Sequence, residues 1–187
     1  MRSSADDALT QALADTATAV EEAVAGISMP VVVIDGRSGS GKSTLASHLV
    51  TRLGAHLVAL DEFYPGWDGL AAGARIARED ILQPLRADGR ARWRTWDWSR
   101  DVPGPWREIV HDAPIVLEGC GALTPGIVDL ADVTVWLDAP AAVRRVRALQ
   151  RDGEAYRPYW ERWAAQEEEH IAAHRPEAYA MISTQTG

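Results

Sequence analysis

The chain holds a single cysteine, Cys120, among its 187 residues, so no internal disulfide can tie it together. It has no apolar run long enough to cross a bilayer. Its first residues, MRSSADDALTQ, carry acids where a secretory signal would be apolar. These absences predict a cytoplasmic protein with no membrane partner. Base is also in short supply: 19 Lys and Arg against 27 Asp and Glu leave a net charge of −8. That excludes a broad basic surface for nucleic acid and leaves only local arginine clusters for small anions. No internal repeat and no linker divides the chain, because Pro and Gly gather only at local turns such as Tyr64-Pro-Gly and Val102-Pro-Gly-Pro. What remains is a composition of 47% hydrophobic and 25% charged residues, close to the globular average, in a chain the size of one domain.

Short apolar runs without polar alternation occur at Met29 to Asp35, His56 to Leu60, Pro114 to Leu117 and Val133 to Leu137, with a weaker one at Ala178 to Ile182. Runs of this kind are strands buried on both faces. Helical stretches separate them, at Lys42 to Leu53, Arg75 to Ala87, Ala141 to Asp152 and Pro158 to His174. The alternation predicts an α/β fold with a five-stranded parallel sheet and helices on both faces. Before the first strand, Ser4 to Ala25 reads as a helix. Ser4 is placed to cap it, Asp6 and Asp7 suit its positive end, and Leu9, Leu13, Thr16, Val20 and Val24 recur at helical spacing, with Gly26 as the stop. This extension, residues 1–26, either covers a sheet edge or supports a homodimer.

The segment Gly36-Arg-Ser-Gly-Ser-Gly-Lys-Ser-Thr, ending at Thr44, fits GxxxxGK[ST] and stands between a predicted strand and a predicted helix. Glycines let the backbone curl until successive N–H groups form an anion nest, to which the following helix adds its positive end. Gly36, Ser38, Gly39, Ser40, Gly41, Lys42, Ser43 and Thr44 are therefore the expected triphosphate site. Lys42 is placed to bridge the β and γ phosphates and Ser43 to offer a hydroxyl to Mg²⁺. The motif leaves the fate of the phosphate open, since motors, switches and small-molecule kinases share it.

Its surroundings narrow the choice. Asp61 follows the second strand, at the end where open α/β sheets collect ligands. There it can accept a proton from an attacking hydroxyl, hold a water on Mg²⁺, or merely cap a turn. Glu118 ends the third strand and is a candidate for the Mg²⁺ shell or for a salt bridge. Arg144, Arg147 and Arg151 recur at i, i+3 and i+7 on one face of the helix after Asp138-Ala-Pro, as a lid over phosphates or as a solvated basic face.

Together, GRSGSGKST, DEFY, VLEG and LDAPAAVRRVRALQRD resemble the uridine kinase family, within the group that includes phosphoribulokinase and pantothenate kinase. The resemblance runs from about Val31 to Ile182. It implies a P-loop NTPase fold of three α/β/α layers in one domain, with an acceptor-site insertion at 61–111 and lid and C-terminal helices at 141–175. By the same resemblance the chain would be an ATP-dependent small-molecule kinase using Mg²⁺. Asp61 would be the general base, Glu118 would join Ser43 at the metal, and Arg144, Arg147 and Arg151 would surround the phosphates, with Lys42, Arg147 and Arg151 assisting transfer. Tyr64 would line the acceptor pocket. Leu82 to Trp98 is similar to the family's helix and hairpin leading to a Tyr-Asp motif, here Trp96-Asp97, which adds Trp96 and Trp98 to the expected acceptor site.

The chain departs from that family where the acceptor is recognised. Arg75-Ile-Ala-Arg-Glu-Asp stands in place of an Asp-His-Pro element, and no histidine follows Trp96-Asp97. Trp67, Trp93, Trp96 and Trp98 crowd this region, either to stack on a planar ring or to fill the space between lid, hairpin and sheet. A nucleoside is the first expectation for the acceptor. A nucleoside monophosphate or an organic or sugar acid stays open, because Arg75, Arg78, Arg86, Arg90, Arg92 and Arg94 offer a second basic cluster. An ATPase or switch without a metabolite acceptor is the rival, although neither an NKxD nor an LSGGQ motif occurs. His170 and His174, at i and i+4, lack a third metal ligand.

Overall fold

The computed structural model of the chain describes residues 4–153 and 156–187. The side chains of residues 4–6 lie outside the described set, and with them the expected cap at Ser4 and charge at Asp6. The chain begins with α1 (Ser4–Val24), then β1 (Val31–Gly36), α2 (Lys42–Leu53) and β2 (His56–Ala59). Next come α3 (Leu70–Ile76), α4 (Gln83–Asp88), β3 (Arg90–Asp97), β4 (Val102–Val110), β5 (Ile115–Glu118) and α5 (Pro125–Val128). It ends with β6 (Val133–Asp138), α6 (Ala141–Asp152), α7 (Trp160–His174) and β7 (Ile182–Gln185).

Five strands form one sheet in the order β2-β5-β1-β6-β7, every pairing parallel. The expected architecture is present, and so is the reason for the non-alternating runs. Val31 and Val33 of β1 enter a core with Leu60, Phe63, Ile81, Leu117 and Trp163. Val32 and Ile34 enter a second core, on the opposite face, with α1 and α2. A strand that feeds two cores has no position to spend on polarity except its carboxyl end.

α1 lies against α2, β6 and β7 and supplies Leu13, Ala17, Val20 and Val24 to the second core. It also reaches the sheet's edge strand, where Thr16 and Thr184 share a hydroxyl hydrogen bond of 2.8 Å. Leu13 is fully buried beside Gly41 of the glycine loop. Leu13→Ala is therefore expected to cost about 2–5 kcal/mol of stability through transfer and cavity terms, read as a shifted denaturant midpoint.

Two boundaries differ from the sequence reading. The strand expected at Ala178 to Ile182 is instead β7 at Ile182–Gln185, behind a 3-10 turn at Pro176–Tyr179. Arg175 adopts a left-handed conformation and Pro176 lacks an N–H, so the chain turns before it can join the sheet. The helix expected at Arg75 to Ala87 starts five residues earlier and passes through a π-helical turn at Ala77–Leu82. Pro84, in the first turn of the helix that follows, offers no N–H to the preceding turn. β3 and β4 make the expected hairpin, with a bulge between Arg94 and Trp96.

Candidate active site

The glycine loop joins β1 to α2 at the carboxyl end of the central strand. Its close packing explains two glycines directly. A Cβ on Gly36 would lie 2.1 Å from the Leu137 carbonyl oxygen, and one on Gly39, at φ +82°, would lie 2.2 Å from the Arg144 carbonyl oxygen. No side chain fits at either position. Lys42 opens α2 with its amine buried, donating to the Arg37 carbonyl at 3.1 Å and to Cys120 Sγ at 3.4 Å. Burial works against its charge, but Cys120, Glu118, Glu167 and Asp35 together hold its pKa above the ordinary lysine value. Cys120 is itself pushed up to about 12, first by burial, so at neutral pH it is a thiol and the three carboxylates supply the attraction.

The two residues expected at the metal are brought together. Ser43 Oγ donates to Glu118 Oε1 at 3.1 Å, across the end of β5. A hydroxyl and a carboxylate suit a hard cation that takes its other ligands from phosphate and water. Among the described residues no group of three or more His, Cys, Asp or Glu side chains forms a closed metal cage. The Ser40 hydroxyl, also in the loop, is buried and has no hydrogen-bond partner among the described residues. The donor set thus fits a nucleotide triphosphate with Mg²⁺.

Burial raises the pKa of Glu118, and the charge of Asp61 adds to the rise, while Lys42, Ser43 and Arg151 oppose it. Glu118 must be ionised to hold a cation. Mg²⁺ affinity is therefore expected to fall as pH drops through a range above that of ordinary carboxylates. Glu118→Gln should remove this acid limb together with most of the metal affinity, which titration of Mg²⁺ across pH would check.

One cavity of about 230 Å³ unites the loop with the residues expected around it. Ser38, Lys42, Ser43, Glu118 and Asp61 contribute its polar lining, and Tyr64, Trp67, Trp98, Tyr156 and Trp163 an aromatic wall. Asp61 sits in a 3-10 turn directly after β2. Its backbone carbonyl accepts a 2.7 Å bond from Trp98 Nε1, which ties the wall to the turn that carries Asp61. Tyr64 is buried, donates its hydroxyl to the Cys120 carbonyl at 2.7 Å, and sets its ring edge-on to Trp163 at 4.8 Å. Trp67 joins the wall's parts: it stacks on Tyr159 at 4.2 Å, lies nearly parallel to Tyr156 at 5.5 Å, and contacts Trp98 at 4.9 Å.

Several expected residues are placed differently. Trp96 is outside this cavity. It lines an adjoining open groove that shares Ser43, Asp61, Glu118 and Trp98 with the cavity, and bonds to Asp101. β3 ends at Asp97, and Trp98, just beyond it, lines both this groove and the cavity, whereas Trp96 lines the groove alone. Trp93 is core, edge-on to Phe63 at 6.2 Å. The three arginines of α6 also divide. Arg144 is 3% exposed and donates to the carbonyls of Ala139 and Ser38, bracing the loop from behind. Arg147 donates to the Thr186 carbonyl at 2.7 Å. Arg151 alone of the three lines the cavity, held by Asp152 through bonds of 2.8 and 2.7 Å.

The sequence reading did not single out Asp35. This buried carboxylate accepts from the amides of Gly36 at 2.6 Å, Gly121 at 2.9 Å and Leu123 at 2.8 Å, and so joins the loop to the end of β5. The available signal was a carboxylate closing an apolar strand, the feature that drew attention to Glu118. Tyr156 and Trp163 were likewise not assigned to the site, and for Trp67 stacking and packing both stayed open, because sequence spacing does not bring three distant segments to one wall.

No protein-family model matches the chain. Its sequence is similar to the cytidylate kinase of Natronomonas pharaonis, 31% identical over 127 residues that make up 67% of this chain and 60% of that protein. It is also similar to the uridine kinase of Staphylococcus epidermidis, 29% identical over 65% of this chain and 68% of the relative. The chain thus spans about 60% of the length of the cytidylate kinase it matches. In structure it is similar to a possible uridine kinase from Bacillus stearothermophilus, with a TM-score of 0.66, 19% identity, and coverage of 91% of this chain and 98% of the other. A protein proposed as a fructose transport system kinase, from Silicibacter sp., gives a TM-score of 0.55 at 22% identity, with 91% and 98% covered. The fold is that of the uridine-kinase-like P-loop proteins, as the motifs implied.

Proposed function

We propose that this chain is an ATP-dependent kinase that transfers the γ-phosphoryl group to a hydroxyl of an uncharged, planar-ringed metabolite, a nucleoside of the uridine or cytidine type. The observation that carries this reading is the single cavity in which Lys42, the Ser43–Glu118 pair, Asp61 and an aromatic wall meet. Mg-ATP, when bound, supplies the phosphoryl group and the cation that neutralises charge on it. Loop amides and Lys42 hold the phosphates, and Ser43 with Glu118 holds the metal. Asp61 takes the proton from the acceptor hydroxyl. The aromatic wall offers flat apolar faces to a ring and keeps water from the reacting atoms.

Charge separates the candidate acceptors. The arginines considered for an anionic one face elsewhere. Arg75 and Arg78 pair with Glu79, Arg86 with Asp132 and Arg92 with Glu108, while Arg94 bonds the Gly104 carbonyl. None of the six lines the cavity, where Lys42 and the already paired Arg151 face Asp61, Glu118 and Asp152. An acceptor phosphate or carboxylate would enter without a dedicated cation, at a cost worth roughly tenfold or more in affinity. The test compares acceptor-dependent ADP release with uridine or cytidine against their 5′-monophosphates. The nucleosides should give the higher kcat/KM, and preference for a monophosphate would overturn the assignment.

A further inference from the structure

The last long helix presents four buried residues to the body of the protein: Trp160, Trp163, Glu167 and His170. Trp163 walls the cavity and meets Tyr64. One turn further on, the buried Glu167 carboxylate accepts from the Ser38 amide at 2.6 Å and from Arg37 Nε at 3.1 Å, with Arg144 of α6 at 3.9 Å. His170 follows at i+7 from Trp163 and bonds Asp35 Oδ2 at 3.1 Å, the carboxylate that already holds the Gly36 amide. Two amides of the glycine loop are thus fixed from one helix, one directly and one through Asp35.

We propose that Glu167 is a positioning residue for nucleotide binding, which holds the glycine loop open as a nest through the Ser38 amide and Arg37. A backbone amide on a buried carboxylate makes a charge-assisted bond, stronger than one between neutral groups. Glu167 has two such demands on its oxygens, and both come from the loop. Without it, the Ser38 amide loses its carboxylate and Arg37 keeps only the exposed Glu168, at 3.3 Å, so the loop is free to close on itself. Because Trp163 lies on the same helix face, loop and acceptor wall are held in one register. This inference rests on the nucleotide-binding half of the function proposed above and not on the transfer step.

Calorimetric titration with Mg-ADP tests it, with no acceptor or turnover needed. Binding of Mg-ADP to the unaltered chain checks the nucleotide-binding reading separately. Glu167→Ala is expected to weaken Mg-ADP by about tenfold to a hundredfold, the worth of one buried charge-assisted bond. Glu167→Gln, which keeps an oxygen for the Ser38 amide, should recover most of that loss. If Glu167 only stabilised the fold, both variants would melt earlier and their folded fractions would bind Mg-ADP within about twofold of the unaltered chain, and that result would overturn the proposal. Should Glu167→Ala fail to fold, amide exchange in the unaltered, nucleotide-free chain decides: slow exchange at Ser38 is expected, and exchange at a solvent-like rate refutes the assignment.

Discussion

Asp61→Asn should lower turnover by about a hundredfold to ten-thousandfold while leaving Mg-ADP affinity nearly unchanged, because it removes a general base and little else. The substitution keeps the side chain's size. The contact that ties this turn to the aromatic wall runs from Trp98 Nε1 to the backbone carbonyl, so it survives. A second signature should accompany the loss. The charge of Asp61 helps to raise the pKa of Glu118, so its removal should move the acid limb of Mg²⁺ binding to lower pH. Steady-state kinetics with parallel calorimetry would read both effects, and turnover within a few-fold of the parent would take Asp61 out of the base role.

Lys42→Met should act in the opposite sense on the same carboxylate. Lys42 is among the groups that hold the Glu118 pKa down, so without it the acid limb should move to higher pH. Turnover should fall by about a hundredfold to a thousandfold, the usual effect of deleting one preorganised charge that stabilises the transferring group. Nucleotide affinity should fall as well, in contrast to Asp61→Asn. The Arg37 carbonyl loses its 3.1 Å donor, and Glu118, Glu167 and Asp35 lose the buried cation among them. Opposite shifts of one acid limb from two nearby substitutions would be hard to produce by general loosening of the fold.

Local physics decided how much of this could be read beforehand. Val31, Val32, Val33 and Ile34 announce a central strand because each side chain must enter a core. Gly36 and Gly39 announce the loop because no Cβ fits there. Ser43 and Glu118 could be paired on paper, since a loop and a strand end at the same edge of a parallel sheet are neighbours by topology. Helical spacing, in contrast, gives a shared face and not what that face meets. The row Arg144, Arg147 and Arg151 does align, yet the first residue turns inward to the loop, the second to Thr186 just past the last strand, and only the third to the cavity. On α7 Trp163, Glu167 and His170 stand at helical spacing, but their partners at Ser38 and Asp35 lie more than a hundred residues away. The tryptophans divided for a similar reason: Trp98, beyond the end of β3, reaches both cavity and groove while Trp96, within it, reaches the groove alone, and strand ends depend on partners in space.

The central claim is transfer to an acceptor, and label balance tests it most directly. ATP labelled in its γ-phosphate would be incubated with the protein, Mg²⁺ and uridine or cytidine, with Asp61→Asn run alongside. The account predicts one label in the nucleoside product for each ADP formed, little ADP when the nucleoside is omitted, and neither product from the variant. ADP appearing at the same rate without a nucleoside, with the label released as inorganic phosphate, would contradict it and identify the cavity as that of an ATPase.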